Sequence, residues 1–382
     1  MKIYYIANIR IPTEKAHGIQ VMKMCESFAL SGVEVVLVVP NKKNPIKEDP
    51  IDFYGVKRIF KIIKLPVFDL GSSSAFLFIL SSLTFYFSLY FFLLFKSRES
   101  SILYTRGEVA LVLARLIPRK IFIWETHIKP GNMLRYEKAL KRSSGIVTVT
   151  KYYADELIRD FGVLRENTLV APDAVQLEDF IIDGNKGTFK KRLNLPSDTK
   201  IVLYTGHLYG WKGVDTLAEA TPLLGEGITV VVVGGTDIDL VNFRAKYGDI
   251  KNLLIVGQKP YGEMKFYLNS ADVLVIPNSA KSTTSQFYTS PLKLFEYMAS
   301  GVPIVASDLV SIREILNDDN SVFFNPDDSK DLAEKIQGLL DGPDKGNRIS
   351  SKAFTEVNKY TWTKRGHNIV EFIKNKTKNG QY

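Results

Sequence analysis

Residues 289–308 read TSPLKLFEYMASGVPIVASD and place a lysine where helix electrostatics disfavour one. Ser290 is a good N-cap, Pro291 suits the first helical position and Gly301 the residue past the end, so a helix over 291–300 is predicted. Lys293 falls in its first turn. The positive end of the helix dipole opposes a cation there by about 0.3–1 kcal/mol, unless an anion shares the place. Glu296 follows three residues later on the same face. A second lysine, Lys212, stands in YTGHLYGWKGVDTL (204–217), where Gly206 permits a tight turn and a further helix begins near Lys212 and Gly213. Backbone N–H groups and an ammonium there suit a phosphate. Plainer readings exist: Lys293 reaching water or pairing with Glu296, and Lys212 solvated on an ordinary strand-to-helix turn. Two lysines at two helix starts nevertheless suggest a diphosphate, and the carboxylate beyond them suits ribose hydroxyls.

The elements that must hold these residues are legible as alternating strands and helices. Strand candidates in the first half are KIYYIAN, VEVVLVVP, FKIIKLP, SILYTRG, KIFIWETH, GIVTVT and NTLVAPD; in the second they are KIVLYTGH, ITVVVVGG, NLLIVGQ, DVLVIPN, PIVASD and SVFFNP. Near-continuous apolar runs separated by helical segments argue for parallel sheets covered on both faces. The predicted fold is α/β: two Rossmann-like, doubly wound domains facing across a cleft. They are expected at 1–180 and 181–360, with a linker over 176–199 and a C-terminal helix and tail at 361–382. Ligands of such sheets collect beyond the C-terminal strand ends. That rule selects RIPTEKAHG, TRG and ETHIKPG from the first half, and TGHLYGWKG, GGTD, GQKPYG, NSAKSTTSQFYTS and SD from the second. These loops hold His17, His127 and His207, three of the four histidines.

Composition narrows the chemistry. The chain has 382 residues, 45% hydrophobic and 24% charged, enough for two domains each with its own core. Cys25 is the only cysteine, which removes intrachain disulfides and cysteine-based metal clusters and points to a reducing compartment. Its place in IQVMKMCESFAL reads as a buried core thiol. The net charge of +9 fits an anionic ligand or membrane surface, without an RNA-binding motif or a dense basic arm. The opening MKIYYIANIRIP reads as a buried strand and not a signal peptide.

The stretches YTGHLYGWKGVDTL and SPLKLFEYMASGVPIVASDLVSIREIL resemble the donor-binding signatures of the family 4 glycosyltransferases, which are retaining and have the GT-B fold. IANIRIPTEKAHGIQVMKMCESFALSGVEVVLVVP is similar to that family's N-terminal strand, glycine loop and helix, and ADVLVIPN and APDAVQLEDF also match. The resemblance spans nearly the whole chain. It implies that Lys212, with Gly206, His207, Ser290 and Lys293, holds a nucleotide-sugar's diphosphate, and that Gly18 lets the N-terminal loop approach the phosphates. It implies that Glu296, with Gly257 and Pro277, serves the nucleoside, and that His127 in WETHIKP supports an oxocarbenium-like centre. The simpler reading of His127 is a core or capping histidine, but its place after an apolar strand favours function. Two positions depart from the family. Tyr288 stands where a carboxylate is expected, eight residues before Glu296, and His207 stands for an arginine. Tyr288 cannot replace a carboxylate, which leaves sugar hydroxyls to Ser290, Thr289 or backbone amides. His207 can still donate to phosphate.

The implied reaction is sugar transfer with retention, with no cofactor and no obligatory metal, because Lys212, Lys293, His207 and the helix starts take the charge of the leaving diphosphate. Asp237-Ile238-Asp239 imitates a metal-binding Asp-x-Asp, but its place after GGT and before a helix reads as capping. Residues 71–95, GSSSAFLFILSSLTFYFSLYFFLLF, are uncharged and long enough to span a bilayer. Spanning would put strands of one sheet on opposite sides of the membrane, so a partly exposed apolar surface resting in the interface is expected, with Lys96 and Arg98 beside it. A buried hairpin or subunit contact is the plainer alternative. The functional expectation is a cytoplasmic enzyme, peripheral on the inner face of the membrane, acting on a lipid-linked or cell-surface glycan precursor. The alternatives are an epimerase or phosphorylase, or a nucleotide-sugar or glycan binding protein that has lost catalysis.

Overall fold

The computed structural model describes residues 1–69, 75–96, 101–107, 121–127, 129, 136–141 and 143–378. They form two units, Met1–Pro172 with Trp362–Tyr382, and Asp173–Thr361. The first holds seven parallel strands: β1 (Lys2–Ile6), β2 (Glu34–Pro40), β3 (Lys61–Leu65), β4 (Ile102–Thr105), β5 (Ile121–Thr126), β6 (Gly145–Thr148) and β7 (Thr168–Val170). Their order is β3-β2-β1-β4-β5-β6-β7. The second unit holds β8 (Lys200–Thr205), β9 (Ile228–Val233), β10 (Leu253–Gly257), β11 (Val273–Ile276), β12 (Ile304–Ser307) and β13 (Val322–Phe324). These are ordered β10-β9-β8-β11-β12-β13, again parallel throughout. Both sheets reverse direction of growth at their first strand, which makes each doubly wound and Rossmann-like.

All thirteen strands coincide with apolar runs in the sequence, and the central ones are buried from end to end, as in ITVVVV of β9. Helices cover both faces of the second sheet, giving two apolar layers, one built on Ile201, Leu203 and Leu294 and the other on Val202, Val230 and Leu332. Cys25 is a buried thiol in the helix Ala16–Leu30, and burial pushes its pKa well up, as expected of a core residue.

The boundaries differ from expectation in two ways. The polar segment 176–199 is not the linker; it belongs to the second unit, where Phe189 and Leu195 are buried and Lys186–Arg192 is helical. Polarity marked a surface and not a joint, because the joint at Pro172–Asp173 follows β7 directly. The C-terminal helix Trp362–Lys378 is no separate appendage and packs in the first unit along Ala16–Leu30, where Ser27 donates a 2.6 Å hydrogen bond to the Trp362 carbonyl.

The helix Ala75–Phe95 connects β3 to β4 within one parallel sheet. The two strands therefore share one side of any membrane. Ser81, Phe85, Leu89 and Leu93 recur at every fourth residue and are buried, with Phe92 edge-on to Tyr4 at 5.6 Å. The opposite face is open: Phe76 is 72% exposed, Phe87 67% and Phe95 85%. Phe76–Phe95 is by length and composition apolar enough to cross a membrane. Residues 71–74 and Arg98, part of the same expectation, lie outside the described residues.

Gly366 tests the docking of the C-terminal helix. Elsewhere in a helix, Gly→Ala gains up to about 1 kcal/mol. Here a Cβ would stand 2.0 Å from Ser27 Oγ and 2.7 Å from its Cβ. Gly366→Ala is expected to destabilise the chain by about 1–3 kcal/mol in urea titration; a gain would contradict the packing.

Candidate functional site

The second unit builds its site where β8, β9 and β11 end. The helix that follows β11 runs Leu292–Ser300, with Pro291 as the N-cap. This shifts the expected start by one residue. Ser290 does not cap the helix; its hydroxyl accepts from the Asp173 N–H at 3.1 Å, while Pro291 stays extended at ψ 130°. Lys293 is consequently the second helical residue, and the helix ends at Gly301 in the left-handed conformation as predicted.

Lys293 is 7% exposed, and among the described residues its Nζ has no hydrogen-bond partner. It lies 3.6 Å from the centre of the Tyr204 ring. A Cβ on Gly206, whose φ is +134°, would meet Nζ at 2.8 Å, so the glycine lets the β8 turn and the lysine share one space. Burial, then repulsion from Lys212, drive the Lys293 pKa well below 10.5, and Glu296 opposes this. Lys212 ends a short turn, Gly210–Lys212, with Nζ 3.8 Å from the Trp211 ring, and burial lowers its pKa to about 7. Burial raises Glu296 to about 7, against a hydrogen bond from Tyr261 and the attraction of Lys293. Two amines and a carboxyl thus sit in one place with their charges poorly compensated. An entering dianion would compensate the amines.

The other predicted residues of this unit fall around the same strand ends. His207 stacks on Tyr209 at 4.9 Å, and its carbonyl accepts from the Tyr204 hydroxyl at 2.6 Å. Gly257 closes β10 with φ +89°, and Pro277 follows β11. Tyr288 is a buried phenol ending the stretch Thr284–Tyr288, followed by the buried Thr289 and Ser290. Asp239 accepts from the Thr236 hydroxyl at 2.7 Å in a capping box, which accounts for the second acid of the Asp-x-Asp. Among the described residues, no three His, Cys, Asp or Glu side chains are grouped to hold a metal.

The first unit carries His127 and Gly18. His127 follows β5, half-buried, with Nε2 2.7 Å from Glu125 Oε1. Glu125 is fully buried in β5 and also accepts from Arg365, Gln20 and Tyr104. Gly18 is pressed against Tyr54: a Cβ there would lie 2.2 Å from the phenol oxygen, which bonds both the amide and the carbonyl of Thr13. Gly18 lies in the first turn of the helix Ala16–Leu30 and not in a loop, and its close packing on Tyr54 is sufficient reason for a glycine there.

Several residues of these sites escaped the sequence reading. Tyr204 and Tyr297 stand among apolar neighbours in KIVLYT and LKLFEYMA, and Tyr261 in the ligand loop GQKPYG, with nothing local to single them out; Tyr297 spends its hydroxyl on Thr205. Glu125 left a usable signal: a carboxylate inside IFIWET, an otherwise apolar buried strand, demands a partner. The partner, Arg365, is 240 residues away and gave none.

Residues 185–356 match the family model of glycosyl transferases group 1. The chain is 24% identical over 261 residues to the D-inositol 3-phosphate glycosyltransferase of Xylanimonas cellulosilytica, covering 65% of this chain and 61% of that one. It thus spans about three fifths of that relative's length. The sucrose-phosphate synthase of Thermosynechococcus elongatus superposes with a TM-score of 0.79 at 18% identity, over 99% of this chain and all of that one. Anabaena HepE in complex with UDP and glucose gives 0.78 at 14%, over 98% and 100%. The fold is GT-B.

Burying Lys293 is costly, and pH reveals it. Its folded pKa is depressed, so from that value up to about 10.5 the unfolded chain binds a proton that the folded chain lacks, and stability rises with pH. Lys212 adds to the rise from about 7 to about 10.5. Glu296, raised to about 7, acts oppositely, its stabilising proton being lost as pH climbs from 4.5 through 7. Lys293→Met should therefore raise the Tm of the unliganded chain at pH 7.5 and flatten its rise toward pH 10. A lower Tm with an unchanged slope would refute the buried-cation cost.

Proposed function

We propose, from the match of residues 185–356 to the family model of glycosyl transferases group 1, that this chain is a retaining glycosyltransferase. It would move a hexose from a nucleotide-sugar to a lipid-linked or cell-surface glycan precursor at the inner face of the cytoplasmic membrane. The observation that carries this reading is the buried Lys293 Nζ beside Gly206, without a hydrogen-bond partner among the described residues, with Lys212 and Glu296 around it. A diphosphate supplies negative charge, and of the proteins compared above one is a D-inositol 3-phosphate glycosyltransferase and another is in complex with UDP and glucose.

In the proposed step, the acceptor hydroxyl oxygen attacks the anomeric carbon from the face that the diphosphate leaves. The bond from that carbon to the β-phosphate oxygen breaks, and this oxygen takes the hydroxyl proton. Lys293 and Lys212 stabilise the charge gathering on the diphosphate, and His127 supports the positive charge at the sugar. No protein nucleophile and no obligatory metal take part. Glu296 accepts from ribose hydroxyls, and Ser290, Thr289 and backbone amides replace the carboxylate absent at Tyr288.

The open face of Ala75–Phe95 is assigned to the bilayer interface. Its exposed phenylalanines would enter the acyl boundary, while the exposed Lys61 and Lys64 of the neighbouring edge strand β3, and Lys42 near Phe78, meet anionic headgroups.

Three measurements test this. Lys212→Ala and Glu296→Ala should each weaken nucleoside diphosphate binding in calorimetry by tenfold or so with little change in Tm, and unchanged affinity in both would overturn the site. Turnover of a nucleotide-sugar panel with lipid acceptors should persist in EDTA; nucleotide binding with no transfer would favour a binding protein instead. The purified chain should float with vesicles, more strongly when they are anionic, and absence from both vesicle types would sink the membrane assignment.

A further inference from the structure

Glu125 is a fully buried carboxylate at the end of β5, and what surrounds it is unusually complete. Arg365 Nη2, Gln20 Nε2 and His127 Nε2 each lie 2.7 Å from Oε1, and Tyr104 donates to Oε2 at 2.6 Å. Arg365 comes from the C-terminal helix; the same Nη2 also donates to the Ala171 carbonyl at 3.0 Å, Nε donates to the Pro172 carbonyl at 2.8 Å and Nη1 to Met24 Sδ at 2.9 Å. Arg106, in the loop after β4, donates to Gln20 Oε1 at 2.6 Å and so fixes the amide that faces Glu125. Tyr5 and Cys25 complete the surroundings, both buried.

Burial would make this carboxyl hard to ionise. The Arg365 guanidinium, the His127 hydrogen bond and Arg106 more than offset it and hold its pKa well below the ordinary carboxylate range. An ionised carboxylate only accepts hydrogen bonds. The imidazole nitrogen 2.7 Å away must therefore carry a proton. Gln20 Nε2 stands 3.5 Å from that same nitrogen, a distance too long to compete.

We propose that Glu125, neutralised by Arg365 from the C-terminal helix, is the positioning residue of the site in this unit: it holds His127 as the Nε2–H tautomer, leaving Nδ1 as the nitrogen that gains or loses a proton. This rests on the reading of His127 as the histidine that supports the sugar, and adds what fixes its tautomer. Buried carboxylates behind functional histidines act in this way generally, by orienting the ring and favouring its charged form. The arrangement also makes the last helix of the chain part of the reaction machinery, because Arg365 is the cation that lets a carboxylate stay charged in a dry strand.

The test uses full-length protein with 15N-labelled histidine. Neutral wild-type His127 should show its proton on Nε2 in long-range proton–nitrogen correlations. Glu125→Gln should lower its titration midpoint by about one unit or more, through loss of the adjacent charge, and reduce kcat more than KM. Arg365→Lys should give an intermediate midpoint. A neutral wild-type ring carrying its proton on Nδ1 would overturn the proposal, as would a midpoint unmoved in Glu125→Gln. If Glu125→Gln does not fold, the wild-type tautomer decides alone. Failure of sugar transfer with the predicted tautomer intact would refute the proposed function and leave the positioning role standing.

Discussion

A protein can keep an amine in its interior only by pairing it, neutralising it or holding the place for something that will arrive. Lys293 is the case on which the second unit turns. Its Nζ rests against the Tyr204 face beside Gly206, with repulsion from Lys212 added to the cost of burial. Cation–π attraction offsets part of this, by about 2 kcal/mol when desolvated. The left-handed Gly301, the extended Pro291 and the bare Cα of Gly206 all serve to put this side chain at the strand ends. The rest of the unit, with two apolar layers on a six-stranded parallel sheet, supplies the rigidity that prevents the site from relaxing the strain away.

The first unit solves the opposite problem. Its buried charge, Glu125, is satisfied on every side, and the cation that satisfies it arrives from the far end of the chain. Breaking such a pair by removing one partner typically costs about 3–5 kcal/mol, so the network locks the C-terminal helix to the sheet as firmly as the packing of Gly366 on Ser27 does. One unit buries an amine with no hydrogen-bond partner among the described residues, and the other a saturated anion. In both, the charged group sits at the C-terminal end of a parallel strand, where the backbone of a doubly wound fold leaves room for ligands.

The helix Ala75–Phe95 shows how topology limits composition. Hydropathy alone permits it to span a bilayer, yet β3 and β4 belong to one parallel sheet, and only a stripe at every fourth residue is needed to cover that sheet. The surplus of exposed aromatic surface is therefore not explained by folding of this unit.

Periodicity determined much of this protein. The central strands appear as apolar runs because strands covered on both faces must be apolar throughout, while the edge strand β3 keeps exposed lysines; the helix with its misplaced lysine is announced by proline and glycine at its ends. The two helix starts, with a carboxylate three residues beyond the second lysine, marked Lys212, Lys293 and Glu296 as one group. Tertiary structure alone decided the rest. Whether Ser290 capped the helix depended on a competing donor from Asp173, and whether the segment 176–199 was a joint depended on which unit buried Phe189, here against Phe266. The pairing of Glu125 with Arg365 bridges 240 residues, and no local pattern records it. Local sequence states what each backbone segment prefers; only folding determines which distant charge will stand beside it, since that contact exists in no state of the chain except the native one.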